Sequence, residues 1–359
     1  MSTAIANLWI PDIWVRGVNE KAATLPSLIS SPVVVRNKEY DTIASGGGVS
    51  ANVPYFRDIT DQDDAPQVEN TQPTRQQITS GKMVAPILNR EYALDCTALA
   101  AQVTQILNSA PMSPIEVIVS QLAMNRQKRR QKVMVAILRG IFGFVNGPGG
   151  AGVMSAARND IFLEAGATPP ASQMISANCV IDTITMLGEL APSTLGGGIL
   201  MHSTVRASLI KQDQTQFEHY SLQSGTVLSG PSPATNQSFI EMYKGYRVYV
   251  SDTLVRNGVT NGKVFDTYIF MAGVFAMGEK PQAPQTVDVA SLSYWMDTQH
   301  NNEEIYDRTR FVLHPNGLRW IGTPAGQSAS NAELATPGNW ALDLQTASRV
   351  GIVCIRSNG

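Results

Sequence analysis

The sequence predicts an α+β chain with long excursions, and three observations carry that prediction. Residues 113 to 142 space their apolar side chains as a helix does. Short β-prone runs bounded by Gly and Pro are spread over the remainder, with no internal repeat or low-complexity tract to order them into a solenoid. Several of these runs are separated by connections too long for tight hairpins.

A compact chain of 359 residues would bury roughly 75% of its unfolded surface, and a prior of about 150 residues per domain suggests two or three domains. Only 16% of residues are charged, against about 25% in an ordinary soluble chain, while 43% are apolar. So sparse a charge leaves two options. Either neutral Ser, Thr, Asn and Gln cover the surface, or something else does. A net charge of −2 excludes a surface that binds nucleic acid throughout, which takes a strong basic excess.

Cys96, Cys179 and Cys354 lie far apart, with no CxxC and no His at ligand spacing. This argues against a disulfide framework or zinc site and for a reducing compartment. The amino terminus, MSTAIANLWIPDIWVRG, lacks the basic start and unbroken apolar run of a signal peptide. No uncharged apolar stretch approaches the ~20 residues of a membrane span, so no membrane partner is expected.

Residues 1 to 45 carry Trp9, Ile10, Ile13, Trp14 and Val15 among prolines at 11, 26 and 32. They read as an extended arm whose apolar side chains need a surface to lie on, either its own domain or another. Next, Val49 to Phe56 and Lys82 to Leu88 are β-prone runs flanking a polar middle with Asp58, Asp61, Asp63, Asp64 and Glu69. A long two-stranded excursion is marginal alone in water, so it too should rest on something.

For the helix at 113 to 142, Ser113 can cap, Pro114 suits the first turn and Glu116 completes a capping-box spacing. Leu122, Val133, Ile137, Leu138, Ile141 and Phe142 continue its apolar face. Its middle is a basic block of Arg126, Lys128, Arg129, Arg130 and Lys132. The block is a solvated face, a contact for an acidic neighbour, or a contact for a phosphate backbone. No groove-reading fingerprint accompanies it, so sequence-specific recognition is excluded.

After the Gly-rich turn at 146 to 152, Ser176 precedes a helical run through Leu190, GGGILMHS is a short strand, and residues 204 to 213 form a helix. Residues 214 to 238 read as a polar loop, while 246 to 254 and 267 to 279 read as strands joined by a turn. A further strand lies in 308 to 322, and VGIVCIRS closes the chain.

The search for chemistry finds no P-loop, GxGxxG, GxSxG or HExxH. His202, His219, His300 and His314 read as structural side chains, since neither Cys nor carboxylate stands at ligand spacing. The pairs Asp63 with Asp64 and Glu303 with Glu304 sit in polar, loop-like surroundings without the desolvation that acid catalysis needs. No catalytic residue, cofactor site or metal site is expected.

The order of parts resembles that of the major capsid proteins of tailed bacteriophages with the HK97-type fold. The resemblance is carried by NLWIPDIWVRG at 7 to 17, SGGGVSANVPYF at 45 to 56, LRGIFG at 138 to 143 and MHSTVRASLIKQD at 201 to 213. It continues through YKGYRVYVSD at 243 to 252, TYIFMAGVFAMGE at 267 to 279, HPNGLRWIG at 314 to 322 and NAELATPGNW at 331 to 340.

The resemblance implies an N-arm (1–45), an E-loop (46–90), a P-domain (91–175) with its spine helix at 113–142, and an A-domain (176–285). Residues 286–359 would be the P-domain's return strand and a carboxyl-terminal segment. It further implies hexamers and pentamers of a virion shell around double-stranded DNA, assembled in the host bacterial cytoplasm and requiring no catalysis. Portal and decoration proteins are the implied partners, along with non-specific contact with packaged DNA. Some relatives carry a cleaved amino-terminal scaffolding extension, whereas here the arm motif begins by Asn7, so a separate scaffolding protein is expected.

Trp9, Ile10 and Trp14 would then lie on a neighbouring subunit, and the acidic stretch from Asp58 to Glu69 would meet the basic block of an adjacent copy. The block's competing assignment is packaged DNA. An encapsulin-like cargo shell shares the fold, and a soluble hydrolase or ligand-binding protein is the non-structural alternative.

Overall fold

The Asn37 side chain accepts from the Glu39 N–H and caps a helix, α1 (Lys38–Ser45), directly after strand β1 (Val34–Arg36). Tyr40 and Ala44, four residues apart, both turn inwards. The arm expected to be extended as far as 45 therefore ends in a helix. Short as it is, one cap and one buried face are enough once there is a sheet to pack against. The computed structural model describes residues 28–56, 75, 78, 80–97, 114–143, 151–162, 170–188, 191, 197–212, 217–221, 227–229, 239–257, 263–280, 292–297, 302–344 and 346–359.

Strands β2 (Ser50–Phe56) and β3 (Ser80–Thr97) form an antiparallel stalk, with Ser50 opposite Pro86 and Phe56 opposite Ser80. The long helix, α2 (Pro114–Phe142), is about 43 Å at ~1.5 Å per residue. Gly140 inside it permits a close crossing, since a Cβ there would stand 2.1 Å from the Leu334 carbonyl oxygen.

Strand β4 (Arg158–Asp160) follows, and then α3 (Ala177–Thr185), whose Ser176 cap accepts from the Cys179 N–H. After these come β5 (Gly198–Met201), α4 (Ser203–Gln212), β6 (Phe217–Ser221), β7 (Val227–Ser229), β8 (Phe239–Tyr243), β9 (Tyr246–Val250) and β10 (Val255–Asn257). The region expected to be a polar loop therefore holds two strands. FEHYS is too short and polar to announce itself, but β8 supplies it with a ladder.

The run from 267 to 279 is likewise not one strand. It divides into β11 (Lys263–Phe270) and β12 (Phe275–Glu279), with Gly273 at φ +74° in the turn between them. The remaining elements are β13 (Leu292–Asp297), β14 (Asn302–Pro315), β15 (Leu318–Trp320), α5 (Asn331–Leu334), β16 (Trp340–Leu342) and β17 (Ile352–Ser357). Glu303 and Glu304, expected in a loop, lie in β14.

Two main sheets organise the described residues. The first has the order β1-β12-β14-β3-β2, with β13 also on β14. The second runs β4-β17-β11-β5-β9-β8-β6-β7, with β10 also on β11. The chain leaves the second sheet at Phe270 and enters the first at Phe275, so β12 lies outside the sheet of the segment 176–285 in which the sequence placed it. Conversely, the carboxyl-terminal β17 joins the second sheet, pairing antiparallel with β11 and parallel with β4. The reason is apolar continuity, because both runs are buried and a buried strand pairs wherever its ladder is satisfied.

A single apolar core connects the two sheets through α2, burying Met134, Ile137, Leu138, Ile141 and Phe142 together with Phe270, Phe275 and Ile355. At roughly 1.5–3 kcal/mol per fully buried large apolar side chain, this face fixes the helix across both sheets. A smaller core of Tyr40, Ala44, Val53, Ile87 and Val312 ties α1 to the root of the stalk. There Gly278 lets the helix backbone approach, since a Cβ would come 2.1 Å from the Tyr40 carbonyl carbon. The far end of the stalk is different in kind: Phe56, at the last pair of the ladder, is 79% exposed, and Ile78, just before β3, is 65% exposed.

Candidate assembly surface

Helical spacing divides the basic block by direction. Arg126 and Arg130, four residues apart, are buried, and Lys128 and Lys132 are exposed together with Met124. Arg126 Nη2 donates to Asp307 Oδ1 at 2.6 Å, and Arg129 donates to the other oxygen of the same carboxylate. Arg129 also lies over the Tyr92 ring, 4.6 Å from its centroid. Arg130 donates to Glu279 Oε1 and lies 5.5 Å from the Phe311 ring centroid. Burial draws the Arg130 guanidinium below its ordinary value and Glu279 opposes that shift, while the intrinsic basicity of the group keeps it cationic at neutral pH.

Three of the five basic residues are therefore held by carboxylates of β14 and β12. Only Lys128 and Lys132 present their charge outward in the way the sequence reading assumed.

Beside this block α2, β3, β14 and α5 enclose an open recess lined by Arg90, Arg126, Arg129, Arg130 and Lys132, with Phe311 at its wall. Arg90 is positioned by its bonds to the Ala329 carbonyl at 2.8 Å and to Asn331 Oδ1 at 2.9 Å. Asn331 begins α5, which is fixed by a capping box between Ser330 and Glu333. Glu91 is engaged by Arg308 at 2.7 Å.

The carboxyl end of α2 is gripped by a second arginine cluster. Arg158 Nη1 donates to the Phe142 carbonyl at 2.6 Å, and Arg356 Nη2 donates to the Gly143 carbonyl, so both cations meet the negative end of the helix dipole. Arg356 and Arg256 also clasp Asp266, at 2.9 and 2.6 Å. Burial alone would raise the Asp266 carboxyl, but the two guanidinium groups outweigh it and hold the group below the ordinary carboxylate range. The neighbouring Cys354 thiol is pushed well above its usual value by burial, and then by Asp266.

Trp9, Ile10 and Trp14 lie outside the described residues, as do Asp58, Asp61, Asp63, Asp64 and Glu69. His314 is fully buried, with Nε2 at 2.7 Å from the Leu318 carbonyl, and burial lowers its pKa to about 4. His202 accepts from the Thr204 N–H at 3.0 Å and stands 3.7 Å from Asp252. His202 Nδ1 also lies 3.4 Å from the hydroxyl of Ser203, its neighbour in the chain. His219 lies in β6, and His300 is outside the described residues. Among the described residues no group of three His, Cys, Asp or Glu could hold a metal ion, and no helix is long and apolar enough to cross a membrane.

The sequence reading missed Asp266, Glu279 and Asp307. Each is a carboxylate at an inward position of a β-prone run, and that was the available signal.

No protein-family model matches the chain, and no curated protein does. Among solved structures, the capsid of Ralstonia phage GP4 matches with a TM-score of 0.54 at 8% identity, covering 92% of this chain and 88% of that one. The cyanophage Pam1 capsid asymmetric unit matches with a TM-score of 0.50 at 9% identity, covering 92% and 90%. Both alignments extend over nearly the full length of the two chains, and the chain has the HK97-type α+β fold of tailed-phage capsid proteins.

Proposed function

We propose that this chain is a major capsid protein whose copies form the hexamers and pentamers of an icosahedral head enclosing double-stranded DNA. The observation that carries the reading is the shared fold with two phage capsids over about nine-tenths of the chain. The exposed Phe56 at the end of a two-stranded stalk, with exposed Ile78 just before β3, adds support, because apolar side chains there gain only when a neighbour covers them.

In this reading residues 1–45 are the N-arm, ending in α1, and 46–90 the E-loop built on β2 and β3. The P-domain is the first sheet with α2 as its spine. The A-domain is the second sheet, which takes β17 in place of β12. Trp9, Ile10 and Trp14 of the arm lie on neighbouring copies. Repeated interfaces of modest area then become cooperative through closed symmetry.

The role is structural rather than enzymatic and its place is the virion, after assembly in the host cytoplasm. A separate scaffolding protein, a portal and a decoration protein are its partners. Packaged DNA meets the shell through weak, salt-sensitive contacts, with Lys128 and Lys132 as the exposed cations of the block.

The test is the content of purified particles after external nuclease treatment. Protected double-stranded DNA supports the reading. A protein cargo without DNA makes the particle an encapsulin-like shell, and absence of particles when scaffold is supplied overturns the proposal.

A further inference from the structure

We propose that the recess beside α2 binds an oxyanion of the phosphate class, either free in solution or carried on a nucleic-acid strand. The proposal goes beyond the capsid reading and does not depend on it.

The wall of the recess is the first argument. Arg90, Arg129, Arg130 and Lys132 line it, and Glu91 is the one carboxylate among the described residues that do so. Glu91 is already engaged by Arg308. Asp307 and Glu279, which hold Arg129 and Arg130, do not line the recess, so a ligand there meets the cations before their partners. Arg126 lines it as well and is left to Asp307.

Unspent donors are the second. A guanidinium carries five N–H groups. Arg130 gives Nη2 to Glu279, Arg129 gives Nη2 to Asp307, and Arg90 gives Nη2 to two neutral acceptors, the Ala329 carbonyl and Asn331 Oδ1. The Nη1 groups of these three arginines have no acceptor among the described residues, and Lys132 has no carboxylate partner there.

The donors are also held in place before any ligand arrives. The Tyr92 ring lies under Arg129, the Phe311 ring beside Arg130, and the capped α5 beside Arg90. Such preorganisation lowers the ordering cost of binding. Arg130 is only 5% exposed, and burial draws the guanidinium groups of Arg90 and Arg130 below their ordinary value. A bound anion would offset that desolvation.

Size and shape select the class of ligand. The recess has a volume of about 110 Å³. One water takes up ~30 Å³ in the liquid, so a tetrahedral oxyanion has room. Guanidinium forks match carboxylate and phosphate alike, but these donors reach the recess from two sides, β3 and α2. That suits the four oxygens of a phosphate better than the two coplanar oxygens of a carboxylate.

The test titrates the purified full chain with inorganic phosphate, by calorimetry and by thermal melting, with chloride and acetate at equal ionic strength as controls. Duplex DNA is titrated separately. Saturable phosphate binding with a raised melting temperature is expected, and neither control should reproduce it. Arg90→Gln with Lys132→Gln is expected to weaken binding at least about tenfold, the effect of ~1.4 kcal/mol. Lys128→Gln, exposed on the same helix but outside the recess wall, should leave it unchanged. Circular dichroism establishes that each variant folds, and Lys132→Gln alone, with a smaller loss expected, replaces the pair if Arg90→Gln does not.

Duplex binding that falls in the recess variant but not in Lys128→Gln, without binding of inorganic phosphate, upholds the site and assigns its oxyanion to a nucleic-acid strand. Failure of both ligands to bind overturns the proposal. So does binding that survives the recess variant, an equal loss in Lys128→Gln, or equally tight binding of acetate. None of these outcomes touches the capsid reading, which is decided by the particles the chain forms.

Discussion

Two arginine clusters hold the same helix and differ in what surrounds them. Around Asp266 little solvent enters: the carboxylate and Arg356 are fully buried, Arg256 is partly so, and Arg356 and Arg158 also donate to the carbonyls that end α2. Around Asp307 and Glu279 the pairing is similar, but the cluster faces a recess and Arg129 is partly exposed. Largely dry, the first cluster joins the second sheet to the carboxyl end of α2. The second is open to solvent on the side of the recess. Position relative to solvent, more than residue type, separates stability from recognition.

That contrast can be broken first at Asp266. Asp266→Asn removes the carboxylate shared by buried Arg356 and partly buried Arg256 and is expected to cost about 3–5 kcal/mol, read as a fall in the denaturation midpoint of the purified chain. A loss below ~1 kcal/mol would remove the distinction between the clusters.

His314, in the same strand as Asp307, reports on a dry site against Leu318 and Trp340. Its folded pKa of about 4 means that the native state refuses a proton which the unfolded chain accepts near pH 6.5. Stability should therefore be complete above that range and fall as pH drops from 6.5 towards 4, by on the order of 3 kcal/mol. His314→Gln should flatten the pH dependence of denaturation in that window.

Asp307→Asn releases Arg126 and Arg129 at the recess, where solvent reaches part of the site. It is expected to cost about 2 kcal/mol, less than Asp266→Asn in the same denaturation assay. Lys132→Gln, at an exposed position, should shift the midpoint by no more than ~0.5 kcal/mol.

The sequence made local events legible. Pro114 and a sustained helical period set α2 to within a residue of its described start, and Ser176 marked α3 by its cap. Long-range events were not legible. TYIFMAGVFAMGE is apolar throughout, so no alternation marks the turn at which it changes sheets, and Gly273 is its sole sign. The basic block showed five charges but not their partners, which arrive from 149 to 181 residues away. Of the candidate site the composition gave the charges, and only the packing of β12 and β14 decides which remain available.

Electron microscopy of the protein expressed with and without its neighbouring genes tests the central claim most directly. The account predicts closed shells built of hexamers and pentamers, or their rings and tubes when scaffold is missing. Protein that stays monomeric under every such condition would contradict it.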